Sequence, residues 1–370
     1  MTPPTREITA LLQRDYLNLM KKAYGTEPPY SKKHIQHELR NIITLNYGEV
    51  ADITPEIKLS FYNAGHIIGS ASAHLHIGEG KHNIVYSGDI KFGFTQLLNP
   101  ADTSFPRSET VFIESTYGRR KDIMPNRRES EAKLMRIIKE TVAKRGKVLI
   151  PVFAVGRSQE VLLTIENYAR DNKEWNVPIY IDGMVLEASA IHTAYPEYLK
   201  ASVQRRILSN DSPFEFEHIK IAQGVDRQTI SEGEPAIILA TSGMLTGGPS
   251  VEYLKLLSDD SNSTLVFIGY QSALSLGAKI QQGVKEFQLM EEGKPKQYTL
   301  NMRVETAEGF SGHSDRRQLF AWLKNFRTMP RTVFTMHGDY NRTEELARDI
   351  ARSFKIHAES PANLEARRLR

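Results

Sequence analysis

Residues 84–89 of the chain read Ile84-Val85-Tyr86-Ser87-Gly88-Asp89. The β-branched and aromatic residues at the start of this stretch predict a short buried strand. Gly88 allows the backbone to turn sharply where the strand ends, and Asp89 then presents a carboxylate at the edge of the predicted sheet. Because rigid sheets aim functional side chains from the loops that follow their strands, the stretch predicts a site built at strand ends.

Two other stretches have the same order of apolar strand and then a polar side chain beside a glycine. Phe61-Tyr62-Asn63-Ala64-Gly65-His66 precedes Asp89 by 23 positions (89 − 66), and Val333-Phe334-Thr335-Met336-His337-Gly338 lies near the C-terminus. We expect His66, Asp89 and His337 to converge in space. Two imidazoles and one carboxylate suit zinc or a similar divalent ion. Strand-end histidines that only form hydrogen bonds are the alternative that spacing leaves open.

The amino-acid composition limits which classes of protein and which kinds of site are possible. The chain has 370 residues, 40% of them hydrophobic and 25% charged, which is ordinary for a globular protein of two or three domains. It has no cysteine, which excludes disulfides, thiolate zinc sites and cysteine nucleophiles. The net charge of +4 permits a nucleic-acid partner without requiring one. No apolar run reaches membrane-spanning length and no signal peptide is evident, so a cytoplasmic location without membrane contact is expected.

Apolar periodicity predicts one domain interrupted by a nested α/β domain with a mainly parallel sheet. An N-terminal helix is expected over 4–22, followed by a polar loop over 26–37. Asn126 is expected to cap a helix, and another helix is expected after Gly156. The predicted strands are short and bounded by Gly, Asp or Pro: 58–63, 72–77, 83–87, 110–114, 147–153, 178–182, 236–241, 264–269 and 332–336.

Two further segments carry residue types suited to acid–base chemistry. Glu114 ends the apolar stretch 110–114, and His313 lies in Gly309-Phe310-Ser311-Gly312-His313-Ser314-Asp315. A carboxylate that orients a histidine is the usual way to make a general acid or base. The alternative is that Glu114 caps a turn and His313 begins a helix.

Several segments are candidates for contacts with phosphate. Arg157 begins a helix after a strand and a glycine, and the loop containing Ser242, Gly243 and Met244 follows another strand. Both places could bind phosphate through N–H groups at a helix N-terminus, although neither matches the phosphate loop of nucleotide hydrolases. The basic cluster 119–121 is a further candidate, with a solvated loop as the equal alternative. His74 and His76 have the spacing of a metal-binding motif, but we interpret both as residues on one face of a strand.

Taken together, these segments resemble the β-CASP branch of the metallo-β-lactamase superfamily, most of all the archaeal relatives of the endonuclease subunit of the cleavage and polyadenylation specificity factor. The resemblance covers essentially the whole chain, with the landmarks in the family's order. It implies that His66 is a zinc ligand, that Asp89 bridges two zinc ions and that His337 binds the second ion. It also implies that Glu114 orients His313 beside the scissile phosphate. A histidine at the last position favours RNA over DNA.

The resemblance implies an α/β fold: a metallo-β-lactamase αββα sandwich over 1–118 and 310–370, with an inserted β-CASP domain over 119–309 that closes RNA against the metal domain. The family's His-x-His-x-Asp-His signature is absent from this sequence. In relatives it precedes a segment like Thr2–Arg6, so we expect the chain to be the C-terminal portion of a longer enzyme. Residues 366–370 resemble the family's natural end, which takes part in homodimer contacts.

The implied activity is zinc-dependent hydrolysis of RNA phosphodiester bonds, in RNA 3′-end processing, transcription termination or decay. Because the main metal motif is missing, this chain is expected to be weakly active or inactive unless the missing segment is supplied in cis or in trans. A non-catalytic subunit that binds RNA or takes part in assembly is the alternative. A hydrolase acting on another substrate class is disfavoured by the β-CASP landmarks.

Overall fold

The computed structural model describes residues 1–20, 27–291 and 293–369. The chain folds as two compact units, the first formed by Met1–Ile123 with Gly312–Arg370 and the second by Met124–Ser311. The boundaries expected from the sequence, after residues 118 and 309, differ from these by five and two positions (123 − 118 and 311 − 309).

The elements of the described residues alternate between strands and helices through most of the chain. The strands are β1 (Val50–Thr54), β2 (Ile57–Asn63), β3 (Ala71–Ile77), β4 (His82–Tyr86), β5 (Thr110–Glu114), β6 (Val148–Pro151), β7 (Ile179–Asp182), β8 (Ile219–Ile221), β9 (Ile237–Ala240), β10 (Thr264–Phe267), β11 (Glu286–Glu291), β12 (Lys294–Thr299), β13 (Arg303–Thr306), β14 (Thr332–Met336) and β15 (His357–Glu359). The helices are α1 (Pro3–Leu19), α2 (Lys32–Asn41), α3 (Arg127–Ala143), α4 (Arg157–Asp171), α5 (Val185–Ala194), α6 (Ala201–Leu208), α7 (Arg227–Glu232), α8 (Pro249–Leu257), α9 (Leu276–Gln281), α10 (Arg316–Lys324) and α11 (Tyr340–Phe354). None of the described helices has both the length and the apolar character needed to cross a membrane.

The first unit is built on a seven-stranded mixed sheet in the order β1-β2-β3-β4-β5-β14-β15. Strands β1 to β4 form an antiparallel meander, and β4, β5, β14 and β15 run parallel. Val85, Val111 and Val333 point from the three central strands into a core with Trp322 of α10 and Leu346 of α11. This packing holds the carboxyl ends of β4, β5 and β14 together at one edge, because neighbouring parallel strands end on the same side.

The second unit contains a six-stranded sheet in the order β13-β10-β6-β9-β7-β8, in which every pair is parallel. Strands β6, β9 and β10 are buried along their whole length, which is typical of a parallel sheet. Asn126 caps α3 by accepting a hydrogen bond from the Arg128 N–H. The nested α/β domain predicted from periodicity is confirmed.

The structure corrects the predictions for several polar segments. The segment expected to be a loop over 26–37 contains the first part of helix α2, which runs on to Asn41. The helix begins after Ser31, whose N–H donates a hydrogen bond to the His34 ring, and Ile35 is buried. The hairpin of β11 and β12 was not predicted, because most of its residues are exposed and polar. Positions 21, 22 and 26 of the predicted helix and loop, and position 370 of the C-terminal segment, lie outside the described residues.

Candidate metal centre

His66 is positioned by the turn that follows β2. Gly65 has φ +70°, and a Cβ atom at this position would lie 2.7 Å from the Lys91 carbonyl oxygen, so only glycine fits. The His66 Nδ1–H donates a hydrogen bond of 2.9 Å to the Gly312 carbonyl. This bond fixes the tautomer and turns Nε2 toward Asp89, with 3.9 Å between Nε2 and Oδ2.

Asp89 and His337 meet at the ends of β4 and β14. His337 has φ +50°, and Gly338 behind it allows the backbone to approach Ser115, whose carbonyl oxygen would lie 2.6 Å from an added Cβ. The Nδ1 atom of His337 lies 3.0 Å from Oδ1 of Asp89. The two carboxylate oxygens of Asp89 therefore face two different imidazoles, with Oδ2 toward His66 and Oδ1 toward His337.

Glu114 and His313 form a tight pair although 199 positions separate them (313 − 114). The His313 Nδ1–H donates to the Glu114 carboxylate, with distances of 2.9 Å to Oε2 and 3.1 Å to Oε1. Glu114 is completely buried, and its Oε1 also accepts the Ile90 N–H at 2.7 Å. The His313 ring lies 4.5 Å from the His66 ring and 6.0 Å from the His337 ring, centre to centre.

The two carboxylates have opposite pKa shifts. Burial raises the pKa of Asp89, the charges of His313 and His337 oppose that rise, and Glu114 adds to it. Burial also raises the pKa of Glu114, but the hydrogen bond and charge of His313, with hydrogen bonds from Thr116 and Ile90, outweigh it and leave this pKa below its ordinary value. Glu114 is therefore ionised at neutral pH and suited to orient His313.

The residues present fit a divalent cation. The ligand atoms of Asp89, Glu114, His313 and His337 lie within 4.8 Å of one another, and His66 lies next to this group. Both oxygens of Glu114 already accept hydrogen bonds inside the fold, so Asp89, His66 and His337 are the better donors for a metal. A carboxylate with an imidazole on each side matches the ligand preferences of zinc.

Two supporting residues were not found from the sequence. Lys91 is buried, and its Nζ donates a 2.9 Å hydrogen bond to the His313 carbonyl. The Ser314 hydroxyl donates to the Ile90 carbonyl at 3.0 Å and accepts the Phe92 N–H at 2.8 Å. The loop after Asp89 thus holds the segment that carries His313, and nothing in the local sequence of either segment indicates the other.

Arg157 begins α4 inside the second unit, and its role as a phosphate contact stays a prediction. Its side chain is only 6% exposed, and its guanidinium donates to the Phe310 carbonyl inside the second unit. Ser242 is partly exposed, and its hydroxyl accepts the Thr246 N–H within the loop after β9. The binding role of Ser242, Gly243 and Met244 stays a prediction.

The basic cluster at 119–121 is engaged within the first unit. Arg119 pairs with Asp122 at 3.0 Å, and Arg120 pairs with Asp349 at 2.7 Å. The Arg120 pair ties the loop after β5 to α11, whereas the Arg119 pair lies within the loop, and both favour a structural role for these arginines.

The histidines at positions 74 and 76 are hydrogen-bonded on β3 and lie outside the metal group. His74 donates to the Arg107 carbonyl and His76 bonds the Asn83 side chain, each at 2.8 Å. The prediction that they are strand-face residues agrees with this geometry.

Comparison with known proteins identifies the architecture. Residues 158–280 match the Beta-Casp domain, and residues 297–361 match the Zn-dependent metallo-hydrolase RNA specificity domain. The chain belongs to the β-CASP branch of the metallo-β-lactamase superfamily. Its fold is accordingly that of a metallo-β-lactamase domain with a β-CASP insertion, as expected from the sequence.

Archaeal relatives match the β-CASP chain over its full length. "Transcription termination factor FttA" is 48% identical in Methanococcus maripaludis, 47% in Methanocaldococcus jannaschii and 48% in Methanothermobacter thermautotrophicus. Each alignment covers 100% of this chain and 58% of the relative, so the chain spans less than two thirds of these proteins. A solved protein of unknown function from Enterococcus faecalis V583 shares the fold, with a TM-score of 0.50 and 12% identity over 91% of this chain and 69% of the other.

Proposed function

We propose that this chain carries part of the active site of a zinc-dependent ribonuclease that hydrolyses RNA phosphodiester bonds during transcription termination or RNA 3′-end processing. The observation that carries the proposal is the placement of Asp89 between His66 and His337, with the Glu114–His313 pair beside them. The names of the archaeal relatives support the process, and the RNA specificity domain supports the substrate.

The residues divide between metal binding and proton transfer. His66, Asp89 and His337 would hold the metal, which supplies Lewis-acid stabilisation of the phosphate and a nucleophile at neutral pH. His313, with Nδ1 bound to Glu114, would protonate the leaving oxygen of the RNA. Buried and ionised Glu114 keeps the imidazole in the tautomer and orientation that this transfer needs.

The ligand set within the described residues is too small for two zinc ions. Asp89 offers one oxygen to each side, and each side has one imidazole, which gives each of two ions two protein donors. Zinc usually takes four ligands, three of them from the protein at catalytic sites. We therefore expect the 370-residue chain to hold at most one zinc ion weakly, and to need a further polypeptide segment for activity.

The surface of the first unit supports the need for such a segment. Strand β1 lies at the edge of its sheet and exposes Val50 and Ile53. Tyr86 on β4 is 48% exposed and lies beside Phe112, 6.2 Å away between ring centres. Open edges and exposed aromatic side chains favour a covering partner. Homodimer contacts through the C-terminal region remain part of the proposal.

The test compares the 370-residue chain with and without the N-terminal segment of an archaeal relative supplied in cis or in trans. We expect zinc-dependent cleavage of single-stranded RNA only when that segment is present. In the completed enzyme, His313→Ala should lose cleavage yet keep zinc and RNA binding, whereas Asp89→Asn should lose zinc as well.

The incomplete ligand set also favours the alternative of a non-catalytic RNA-binding subunit. That alternative predicts RNA binding without cleavage even when the segment is supplied and zinc is bound. Robust cleavage by the 370-residue chain alone, abolished by Asp89→Asn, would contradict our expectation that the site is incomplete.

A further inference from the structure

The second unit has a crevice where its parallel sheet changes the direction of its connections. From β6 the chain passes through α4 to β7, which lies beyond β9, whereas from β9 it passes through α8 to β10 on the other side of β6. Neighbouring β6 and β9 thus send their following loops in opposite directions. In open parallel sheets, ligands bind at the carboxyl ends of such strands.

Phe153 lies at this point, two residues after β6. Its side chain is 39% exposed, and no other aromatic ring of the described part of the chain packs against it. Tyr270, three residues after the adjacent strand β10, is 37% exposed. Leaving large aromatic side chains exposed to water is unfavourable. The exposure of Phe153 and Tyr270 at the carboxyl ends of buried strands therefore indicates a binding surface.

Two glycines leave the ring of Phe153 uncovered. A Cβ atom on Gly243, in the loop after β9, would lie 3.1 Å from Cδ2 of the ring and 2.9 Å from the Phe153 nitrogen. A Cβ atom on Gly269, after β10, would lie 3.7 Å from Cε2. Neither glycine has a positive φ, so backbone conformation does not require glycine at either position. Their effect is to leave the space beside the ring free of a side chain. The Gln271 amide donates to the Gly243 carbonyl at 2.8 Å and holds the two loops together.

We propose that Phe153 is a stacking platform for a nucleobase of single-stranded RNA, with Tyr270 on the loop that follows the neighbouring strand β10. This inference rests on the proposed function, because it takes RNA as the ligand. A flat, exposed ring held by rigid loops suits a base of any identity, since every base has a π face. The platform would hold a single strand without reading its sequence.

The test measures binding of a fluorescein-labelled ten-nucleotide oligouridine by anisotropy at about 50 mM salt, where phosphate contacts remain strong. Phe153→Leu removes the ring and keeps apolar volume, so affinity should fall about tenfold. Phe153→Tyr keeps the ring and should bind within twofold of the unchanged chain. Gly269→Val places a side chain against the ring and should weaken binding although Phe153 is intact. Leu208→Ala, at an exposed apolar position on α6, is the matched control and should have no effect.

Two readouts separate stacking from a structural role. An abasic oligonucleotide should bind the unchanged chain and Phe153→Leu equally, because it has no base to stack. Phe153→Trp should show fluorescence quenching when oligouridine binds, and this readout needs no loss of affinity. Thermal unfolding of each variant checks that the fold is kept.

The outcomes distinguish this inference from the proposed function. If the unchanged chain binds oligouridine and both Phe153→Leu and Gly269→Val bind equally well, the platform is wrong while RNA binding stands. Equal weakening of the abasic ligand by Phe153→Leu would also overturn it. If the unchanged chain binds no single-stranded RNA at this salt, the RNA partner itself is wrong and the platform is rejected with it.

Discussion

The Glu114–His313 pair gives the sharpest test of the site because it can be measured without any metal. Replacing Glu114 with Gln keeps the shape of the side chain but leaves one oxygen where there were two. In the unchanged chain, the Glu114 carboxylate accepts the His313 Nδ1–H at 2.9 Å and the Ile90 N–H at 2.7 Å, and it has no exposure to water. In Glu114→Gln, one of these donors must face an NH₂ group unless the imidazole changes tautomer.

The expected magnitude follows from that geometry. Hydrogen bonds to charged groups contribute about 1.5–3 kcal/mol, and leaving a buried donor unsatisfied costs about 1–3 kcal/mol. We expect Glu114→Gln to destabilise the first unit by about 2 kcal/mol. His313→Ala removes the other partner of the same hydrogen bond. The double variant should therefore lose less stability than the two single variants lose together, with a coupling energy of about 1.5–2 kcal/mol.

The assay is urea unfolding of the four proteins of this cycle at pH 7 with a chelator present. The sequence has two tryptophans. Trp322 is fully buried in the first unit, and Trp175 lies in the second, so a Trp175→Phe background makes fluorescence report on the first unit alone. A coupling energy below about 0.5 kcal/mol, the usual error of additivity, would show that the pair is not preorganised and would refute the reasoning.

The pH dependence has a defined sign. The pKa of Glu114 is lower in the folded chain than its ordinary value of 4.5. Its contribution to stability is therefore fully present above that ordinary pKa and is lost as the pH falls through the folded-state pKa. The difference between the unchanged chain and Glu114→Gln should shrink as the pH falls through that acid range.

Three further predictions concern metal, pH and backbone geometry. Calorimetry with zinc should find at most one weakly bound ion per chain and none in Asp89→Asn, and two tightly bound ions would contradict the ligand count. Burial lowers the pKa of His192 from 6.5 to about 4, so stability should fall by up to roughly 3 kcal/mol as the pH drops from 6.5 to 4, and His192→Leu should flatten the urea midpoints over that range. Gly65→Ala should lower the free energy of unfolding by more than 1 kcal/mol, whereas Gly48→Ala, also at positive φ but with no atom within 4 Å, should cost less.

Much of the sheet framework could be predicted because its strands are apolar and bounded by turn residues. The predictions at 110–114 and 332–336 coincide with β5 and β14. Local patterns could not show that these strands are neighbours, since 222 positions separate their first residues (332 − 110). The order of the family's landmarks supplied the expectation that Glu114 and His313 belong together, and the hydrogen bonds of Ile90 and Lys91 hold the two segments in contact.

Other features could not be predicted from the sequence because charge and polarity do not determine whether a side chain is exposed. The Arg157 guanidinium donates to a backbone carbonyl and Arg120 pairs with an aspartate on α11, and neither partner is evident from the local sequence. Helix α2 was predicted as a loop because Lys32 and its polar neighbours dominate the segment, although Ile35 alone is enough to anchor one turn. A single sequence shows which side chains are present but not which of them meet a partner inside the fold.

The proposed proton-transfer pair, Glu114 and His313, and the proposed metal ligand Asp89 are held by the same short loop, which bears on how the site would be completed. Asp89, Ile90 and Lys91 are consecutive, and they supply a metal donor, a hydrogen bond to Glu114 and a hydrogen bond to the backbone of His313. The pair is therefore held in place by the same short loop that presents the carboxylate, without any metal. Missing metal ligands supplied by another segment would complete the coordination around Asp89 while the position of His313 stays as it is. We therefore expect added metal ligands to raise the activity of the site without any movement of His313.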